Sequence, residues 1–203
     1  KYVFDFSFFK LNAQSDFHQL YNELGIISEK STNKPFFIIP KIGLEWEINS
    51  KNKLITSYSY NTTNPGVLDL YNGYVQTDFR NFEKGLNKLH LFSENNLFLN
   101  YNFGNWGDKF FSNTFIVYAK SNDFYSTNSM ITQNYTSLDK IIIKDREFLS
   151  VSTNIDNYLK FLKSNFKVSL SGSKTNFKNI INNTNLREVV NLNTTYGFEL
   201  RSG

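Results

Sequence analysis

Apolar and polar residues alternate with a period of two over several long stretches of the chain. In 96–103, Leu97, Leu99 and Tyr101 share one face, and the other face carries Asn96, Asn100 and Asn102, with Phe98 as the exception. The same alternation recurs in three further segments, 41–48, 165–171 and 190–200. Since successive side chains of a strand point to opposite faces, the pattern predicts β-strands with one apolar and one polar face.

The alternation and its weaker repeats predict about eight strands and little helix. The predicted strands are 1–12, 36–48, 53–61, 88–103, 109–126, 140–154, 160–172 and 186–200. Several exceed the ~9–11 residues with which a tilted strand crosses a bilayer, whereas strands of soluble proteins usually have ~5–6 residues. One short helix is predicted at 16–24.

The predicted connections alternate between long and short. The long ones are 13–35, 62–87, 127–139 and 173–185, and the short ones are 49–52, 104–108 and 155–158. The short ones are rich in Asn, Gly and Asp, which suit tight hairpin turns. We therefore expect an all-β fold of antiparallel up-and-down transmembrane β-barrel strands, with long extracellular loops and short periplasmic turns. The expected location is the outer membrane of a Gram-negative bacterium.

In such a barrel the apolar face of each strand contacts lipid, and the polar face lines the interior. The residues expected to face lipid are Ile42, Leu44, Trp46, Leu97, Leu99, Tyr101, Val168, Leu170, Leu192, Tyr196 and Phe198. Outer-membrane lipid is therefore the first expected partner.

The composition fits a sheet between an apolar and a wet environment. The 203 residues include 21 Phe and 12 Tyr, and Asn supplies about one residue in seven. The chain has no Cys, and its two histidines, His18 and His90, are far apart in sequence. We therefore expect no catalytic site, no metal site and no cofactor. The net charge of +4 comes from scattered cations, so no nucleic-acid partner is expected.

Ligand contacts are expected in two of the extracellular connections, because aromatic and amide side chains there suit stacking and hydrogen bonding. In the 62–87 loop the candidates are Tyr71, Tyr74, Asp78, Arg80 and Asn81. In the 122–139 region they are Asp123, Tyr125, Asn134 and Tyr135.

Four stretches carry a resemblance to a known family. They are Ser57-Tyr-Ser-Tyr-Asn-Thr-Thr-Asn-Pro65, Leu68-Asp-Leu70, Phe82-Glu-Lys-Gly-Leu-Asn-Lys-Leu89 and Ser93-Glu-Asn-Asn-Leu-Phe-Leu-Asn-Tyr-Asn-Phe103. Together they resemble the barrel of TonB-dependent outer-membrane receptors. The resemblance implies a plugged barrel of about 22 strands.

The same resemblance implies a function, which is energised uptake of a nutrient such as a glycan, a peptide or a metal chelate. It also implies a TonB-type energising protein as partner, reached through regions outside 1–203, and a possible surface lipoprotein lid. On this basis 1–203 is expected to be a contiguous part of the barrel domain, without the plug domain.

Two other interpretations stay open at this stage. One is a complete eight-stranded outer-membrane barrel with an adhesin or structural role, since eight strands can close around a filled interior. The other is a secreted carbohydrate-binding β-sandwich.

Overall fold

The chain folds almost entirely into β-strands. The computed structural model describes residues 3–15, 18–24, 27–33, 36–63, 65–86, 88, 90–105 and 107–202. In chain order the elements are β1 (Val3–Ser15), β2 (His18–Leu24), β3 (Ile27–Asn33), β4 (Phe36–Asn49), β5 (Asn52–Thr63), α1 (Val67–Leu70), β6 (Tyr74–Asp78), β7 (Asn81–Lys84), β8 (Phe92–Phe103), β9 (Phe110–Ile131), β10 (Thr136–Leu159), β11 (Ser164–Ile181) and β12 (Arg187–Ser202). Among these residues, no helix has the length and hydrophobicity needed to cross a bilayer.

Eight long strands form the main sheet, each antiparallel to the next. Their order is β1, β4, β5, β8, β9, β10, β11 and β12. These are the eight strands that the alternation predicts, so the predicted antiparallel all-β class is confirmed. Within the described ranges β1 and β12 are not paired with each other, and the sheet is open.

The pairing register gathers the alternating apolar residues of the main sheet into rows. One row across five strands is Ile42, Tyr58, Leu97, Tyr118 and Leu149. The next row, two residues along each strand, is Leu44, Thr56, Leu99, Ile116 and Val151. Because directly opposed residues share a face, these rows form one surface, which we call the apolar face.

The other surface of the main sheet, the polar face, carries mostly Asn, Ser, Glu and Lys. One of its rows is Glu47, Lys53, Asn102, Asn113, Asn154 and Ser169. A one-residue shift in any pairing would exchange the two faces of a strand. Seven neighbouring strands of the main sheet therefore keep the same alternation between the apolar and the polar face. They are β4, β5, β8, β9, β10, β11 and β12.

The main sheet is a single layer without a hydrophobic core. Among the residues whose side chains the structure describes, which begin at 38, only Phe124 and Ile143 are buried apolar side chains, at 5% and 7% exposure. On the apolar face, Leu192 is 73% exposed and Tyr196 and Phe198 are similarly open. Apolar burial drives folding in water, so a face as exposed as this one requires a covering.

The helix predicted at 16–24 is wrong over the residues that the structure describes. His18–Leu24 is strand β2, which pairs antiparallel with β3 in a separate hairpin, from His18 opposite Asn33 to Leu24 opposite Ile27. Backbone pairing with the adjacent segment satisfies the same donors and acceptors that a helix would satisfy.

The predicted long connections 127–139 and 173–185 are also wrong. Strand β9 continues to Ile131 and β10 begins at Thr136, while β11 continues to Ile181 and β12 begins at Arg187. The connections are the short turns 132–135 and 182–186. These extensions show no hydrophobic alternation that would mark them as strand.

Beyond the main sheet, the paired strands β9 and β10 continue as a ribbon whose edges change partners. In the main sheet β9 bonds to β8 and β10 bonds to β11. Near the turn 132–135, β9 pairs in parallel with the end of β11, and β10 pairs in parallel with β7. The ribbon has therefore turned over, as strongly twisted two-stranded ribbons can. Asp145, with φ of 65°, lies in β10 where the change begins.

The ribbon joins β6, β7, β10, β9 and β11 into a second sheet, which we call the upper sheet. Its two sides are braced. On one side Thr136 N–H donates to the Arg80 carbonyl at 2.8 Å. On the other, Asn182 N–H donates to the Ser129 carbonyl at 2.7 Å, and Ile131 N–H donates to Asn182 Oδ1 at 2.8 Å. The upper sheet is therefore held at both edges.

Candidate functional site

An ion cluster attaches α1 to the upper sheet. The Lys140 ammonium is ion-paired with Asp69 and lies 3.8 Å from a carboxylate oxygen of Glu83. Asp69 also accepts the Gly66 N–H at 2.8 Å, where α1 begins. The Lys140 and Asp69 side chains are each only 20% exposed. Partial burial strengthens such pairs relative to surface pairs, and this cluster connects α1, β7 and β10.

The chain after β7 passes so close to α1 that only glycine fits. A Cβ on Gly85 would lie 2.5 Å from the carbonyl oxygens of Leu68 and Asp69. In this position the Gly85 N–H donates to the Tyr71 carbonyl at 2.8 Å, and the Leu86 N–H donates to the Asp69 carbonyl at 2.7 Å. These bonds satisfy carbonyl groups at the end of the short helix.

A second cluster lies where β8 meets the ribbon. His90 Nε2 is 3.1 Å from Asp123 Oδ2, and the His90 ring packs against the Phe92 ring at 5.0 Å. The Phe92 ring meets the Tyr125 ring edge to face at 4.3 Å. Burial, and secondarily the Asp69 carboxylate, raise the pKa of Tyr125 to about 12. The Tyr125 hydroxyl is therefore neutral at physiological pH.

A third cluster spans β8, β9 and β10 beside Asp145. The Arg146 guanidinium lies 3.3 Å from Glu94 and donates to Ser121 Oγ at 3.2 Å, while Ser121 donates to Glu94 at 2.9 Å. The guanidinium also lies 5.4 Å from the Phe124 ring centroid. This polar triad ties three strands together at the level where the ribbon leaves the main sheet.

Aromatic side chains gather at the outer end of the upper sheet. The Tyr74 and Tyr135 side chains are 55% and 44% exposed. The Lys84 ammonium lies 5.5 Å from the Tyr74 ring centroid, and Phe82 meets Tyr135 edge to face at 6.1 Å. Partial burial and the nearby Asp139 carboxylate raise the pKa of Tyr74. We call Tyr74, Phe82 and Tyr135 the aromatic platform.

The structure brings some of the predicted ligand contacts together and separates others. Tyr74, Arg80, Asn81 and Tyr135 converge at the outer end of the upper sheet, where Asn81 opposes Thr136. Tyr71 follows α1 and contacts Gly85 through its backbone, and Asp78 accepts the Phe79 N–H at 2.7 Å. Asn134 lies in the exposed turn 132–135.

Asp123 and Tyr125 do not lie in a loop, as the prediction placed them, but in β9. They belong to the His90 cluster because β9 extends past the main sheet. Sequence reasoning also missed Asp69, Lys84, Asp139 and Lys140. The parallel pairing of β7 with β10 brings these residues together, and no local pattern signals a pairing between segments more than fifty residues apart.

All the residues that we expected to face lipid lie on the apolar face. The register places the members from β4, β8, β11 and β12 on this one surface. Aromatic rings concentrate near its short-turn end, where Phe103 packs on Phe110 at 5.4 Å and Phe166 stacks on Phe198 at 6.4 Å. The expectation of lipid contact itself rests on physical argument.

The polar face carries its own hydrogen-bond network. Asn102 Nδ2 donates to Asn100 Oδ1 at 2.8 Å, and Asn113 donates to Asn102. Asn100 donates onward to the Thr114 carbonyl at 3.2 Å, and Ser169 donates to Asn154 at 2.8 Å. In the part of the chain that the structure describes, no group of three or more metal-ligating side chains occurs.

Comparison of the chain with known protein families and with curated proteins finds no match.

Proposed function

We propose that the chain forms part of the wall of a transmembrane β-barrel in the outer membrane of a Gram-negative bacterium. The observation that carries this proposal is the apolar face, which runs in register across seven strands of a sheet that has no second layer among the described residues. In water such a surface would be costly, at roughly 25 cal/mol for each Å² of apolar area. Lipid removes this cost without requiring any further protein layer.

The height of the apolar face suits a bilayer. On β10 the apolar positions lie between Glu147 and Asn157, and on β12 they run from Val190 to Leu200. Ten residues at about 3.4 Å each give about 34 Å along a strand. A barrel tilt of about 40° reduces this to about 26 Å, close to the ~25 Å apolar band of outer-membrane barrels.

The polar face suits a barrel interior. Its asparagine and serine side chains bond to one another and to backbone carbonyls, so they are largely satisfied without help from a neighbouring layer. The ion pair between Lys53 and Glu45, at 2.5 Å, compensates charge on the same surface. A water-filled or plugged lumen accepts such groups, whereas a sandwich core would not.

We further propose that this wall belongs to a TonB-dependent transporter. The support is the resemblance of 57–103 to the barrel of TonB-dependent receptors, together with strands that continue far beyond the apolar face. On this proposal the protein takes up a nutrient (a glycan, a peptide or a metal chelate) and is energised by a TonB-type protein. A surface lipoprotein lid is a further proposed partner.

The test is the size and location of the native polypeptide. An antibody against the exposed β6–β7 turn, where Phe79 is 81% exposed, would detect it in outer membranes, with boiled and unboiled samples compared. A band several times heavier than a 203-residue chain supports the transporter. A heat-shifting band of the size of this chain would replace the transporter with a small closed barrel. Absence from the membrane fraction would overturn the barrel proposal itself.

A further inference from the structure

The sequence contains a single Asn-Gly dipeptide, Asn72-Gly73, in the connection between α1 and β6. Asparagine is chemically labile, and its side-chain amide is lost when the backbone nitrogen of the next residue reaches the side-chain carbonyl carbon. A Cβ on the next residue hinders that approach, and glycine has no Cβ. The dipeptide therefore gives Asn72 the least hindered neighbour that an asparagine can have.

Both reacting groups are accessible in the folded protein. The Asn72 side chain is exposed, and neither its amide nor the Gly73 N–H forms a hydrogen bond with any residue that the structure describes. The flanking residues are anchored, because the Tyr71 carbonyl accepts the Gly85 N–H at 2.8 Å and β6 begins to pair at Tyr74. The dipeptide can therefore change its torsion angles between two anchors without breaking a hydrogen bond.

Asn49 provides the contrast within the same molecule. It is also exposed, at the end of β4, and Ser50 follows it in the turn. Its Oδ1, however, accepts hydrogen bonds from the Lys51 N–H, the Asn52 N–H and the Asn52 side-chain amide, each at 2.9 Å. These bonds hold the Asn49 side chain in one orientation, so they must break before its carbonyl carbon can turn toward the Ser50 nitrogen.

We propose that Asn72 is a site of spontaneous deamidation. The Gly73 backbone nitrogen loses its proton and attacks Cγ of Asn72, and the side-chain nitrogen leaves as ammonia, which closes a five-membered succinimide ring. Water then opens the ring. Breaking the bond from nitrogen to Cγ gives aspartate, and breaking the bond from nitrogen to the backbone carbonyl carbon gives isoaspartate. This chemistry does not depend on the proposed location in a membrane.

The reaction changes the start of β6, next to the aromatic platform. Both products replace a neutral amide with a carboxylate, and isoaspartate also adds one carbon to the main chain between Tyr71 and Tyr74. Strand β6 has five residues, and within the described ranges it pairs with β7 alone. A longer main chain just before Tyr74 should therefore weaken the pairing of β6 with β7.

The test is to age the full-length protein in detergent and heavy-oxygen water at neutral and mildly alkaline pH, and then to map its peptides by mass spectrometry. We expect residue 72 to become an acid that carries one solvent oxygen, at a rate that rises with hydroxide concentration, with isoaspartate as the main product. The matched control is Ser50→Gly, which places glycine after the second exposed asparagine. Asn49 should still react at least about tenfold more slowly than Asn72, because three hydrogen bonds must break first.

An Asn72 that stays intact, or one that gives aspartate without isoaspartate, would overturn the proposal. Equal rates at Asn72 and at Asn49 of the Ser50→Gly variant would overturn the structural reasoning behind it. Amide hydrogen exchange in β6 should be faster in the aged protein than in aged Asn72→Gln, because the longer side chain closes its ring much more slowly. Equal exchange in these two samples would refute the predicted weakening of β6.

Discussion

Placing a positive charge at the centre of the apolar face tests whether that face contacts lipid. Val151 lies on β10 about one residue from the midpoint between Glu147 and Asn157, the polar residues that bound the apolar positions. One residue corresponds to about 3 Å along a strand, so Val151 lies within a few ångströms of the proposed bilayer midplane. The full midplane penalty therefore applies to Val151→Arg.

That penalty is about 2–4 kcal/mol for arginine on the lipid face of an outer-membrane barrel. It corresponds to a loss of roughly 30-fold to several hundredfold in the folding equilibrium constant. The control is Ser152→Arg, one residue farther along the same strand, where the register places the side chain on the polar face between Phe115 and Ser171. We expect Ser152→Arg to change stability by less than about 0.5 kcal/mol.

The assay is reversible guanidinium unfolding of the full-length protein in phospholipid vesicles, followed by tryptophan fluorescence. Both variants carry the same charge on the same strand, so differences in solubility or expression cancel. If Val151→Arg and Ser152→Arg cost the same, or if the control costs more, the assignment of the two faces is refuted.

Three further predictions concern the upper sheet. Gly85→Ala should destabilise it by about 1–3 kcal/mol in thermal unfolding, because the new Cβ would meet backbone oxygens of α1; Gly172→Ala, where the nearest atom lies 3.8 Å from the new Cβ, should be tolerated. Lys140→Met leaves the carboxylates of Asp69 and Glu83 without their cation. The opening free energy of α1, measured by amide hydrogen exchange, should therefore fall by about 1–3 kcal/mol. Unchanged exchange in α1 would contradict the role of the ion cluster. The folded state raises the pKa of Tyr125 from 10.0 to about 12, so stability should decline as pH rises through that interval, and Tyr125→Phe should make the decline smaller.

The sequence was sufficient to predict the main sheet because its physical signal is local. Each strand repeats the same alternation, and the turn at 50–51 lies within the predicted short connection 49–52. The predicted short connection 155–158 is wrong, because β10 continues to Leu159 and the turn is 160–163. A shift of one residue in the pairing would exchange the two faces of a strand. Agreement between the sequence alternation and the pairing register is therefore a stringent test of the prediction. The eleven residues assigned to the apolar face needed only this periodicity.

The upper sheet was not predictable by the same reasoning. Residues 127–131 and 136–139 have no apolar alternation because neither of their surfaces needs to be apolar, yet backbone pairing extends through them. The predicted helix at 16–24 failed for a related reason, because an adjacent segment was available to pair with β2. The ion cluster around Lys140 depends on the parallel pairing of β7 with β10, which leaves no trace in either segment alone.

The central claim is that one face of the main sheet contacts lipid, and spin-label accessibility measures this most directly. Because the chain has no cysteine, single cysteines can be introduced in turn at 149–155 of β10 in the full-length protein in vesicles. The account predicts that accessibility to lipid-soluble oxygen peaks at positions 149, 151, 153 and 155, and that accessibility to a water-soluble nickel chelate peaks at positions 150, 152 and 154. Accessibility that does not alternate along the strand, or that alternates in the opposite phase, would contradict it.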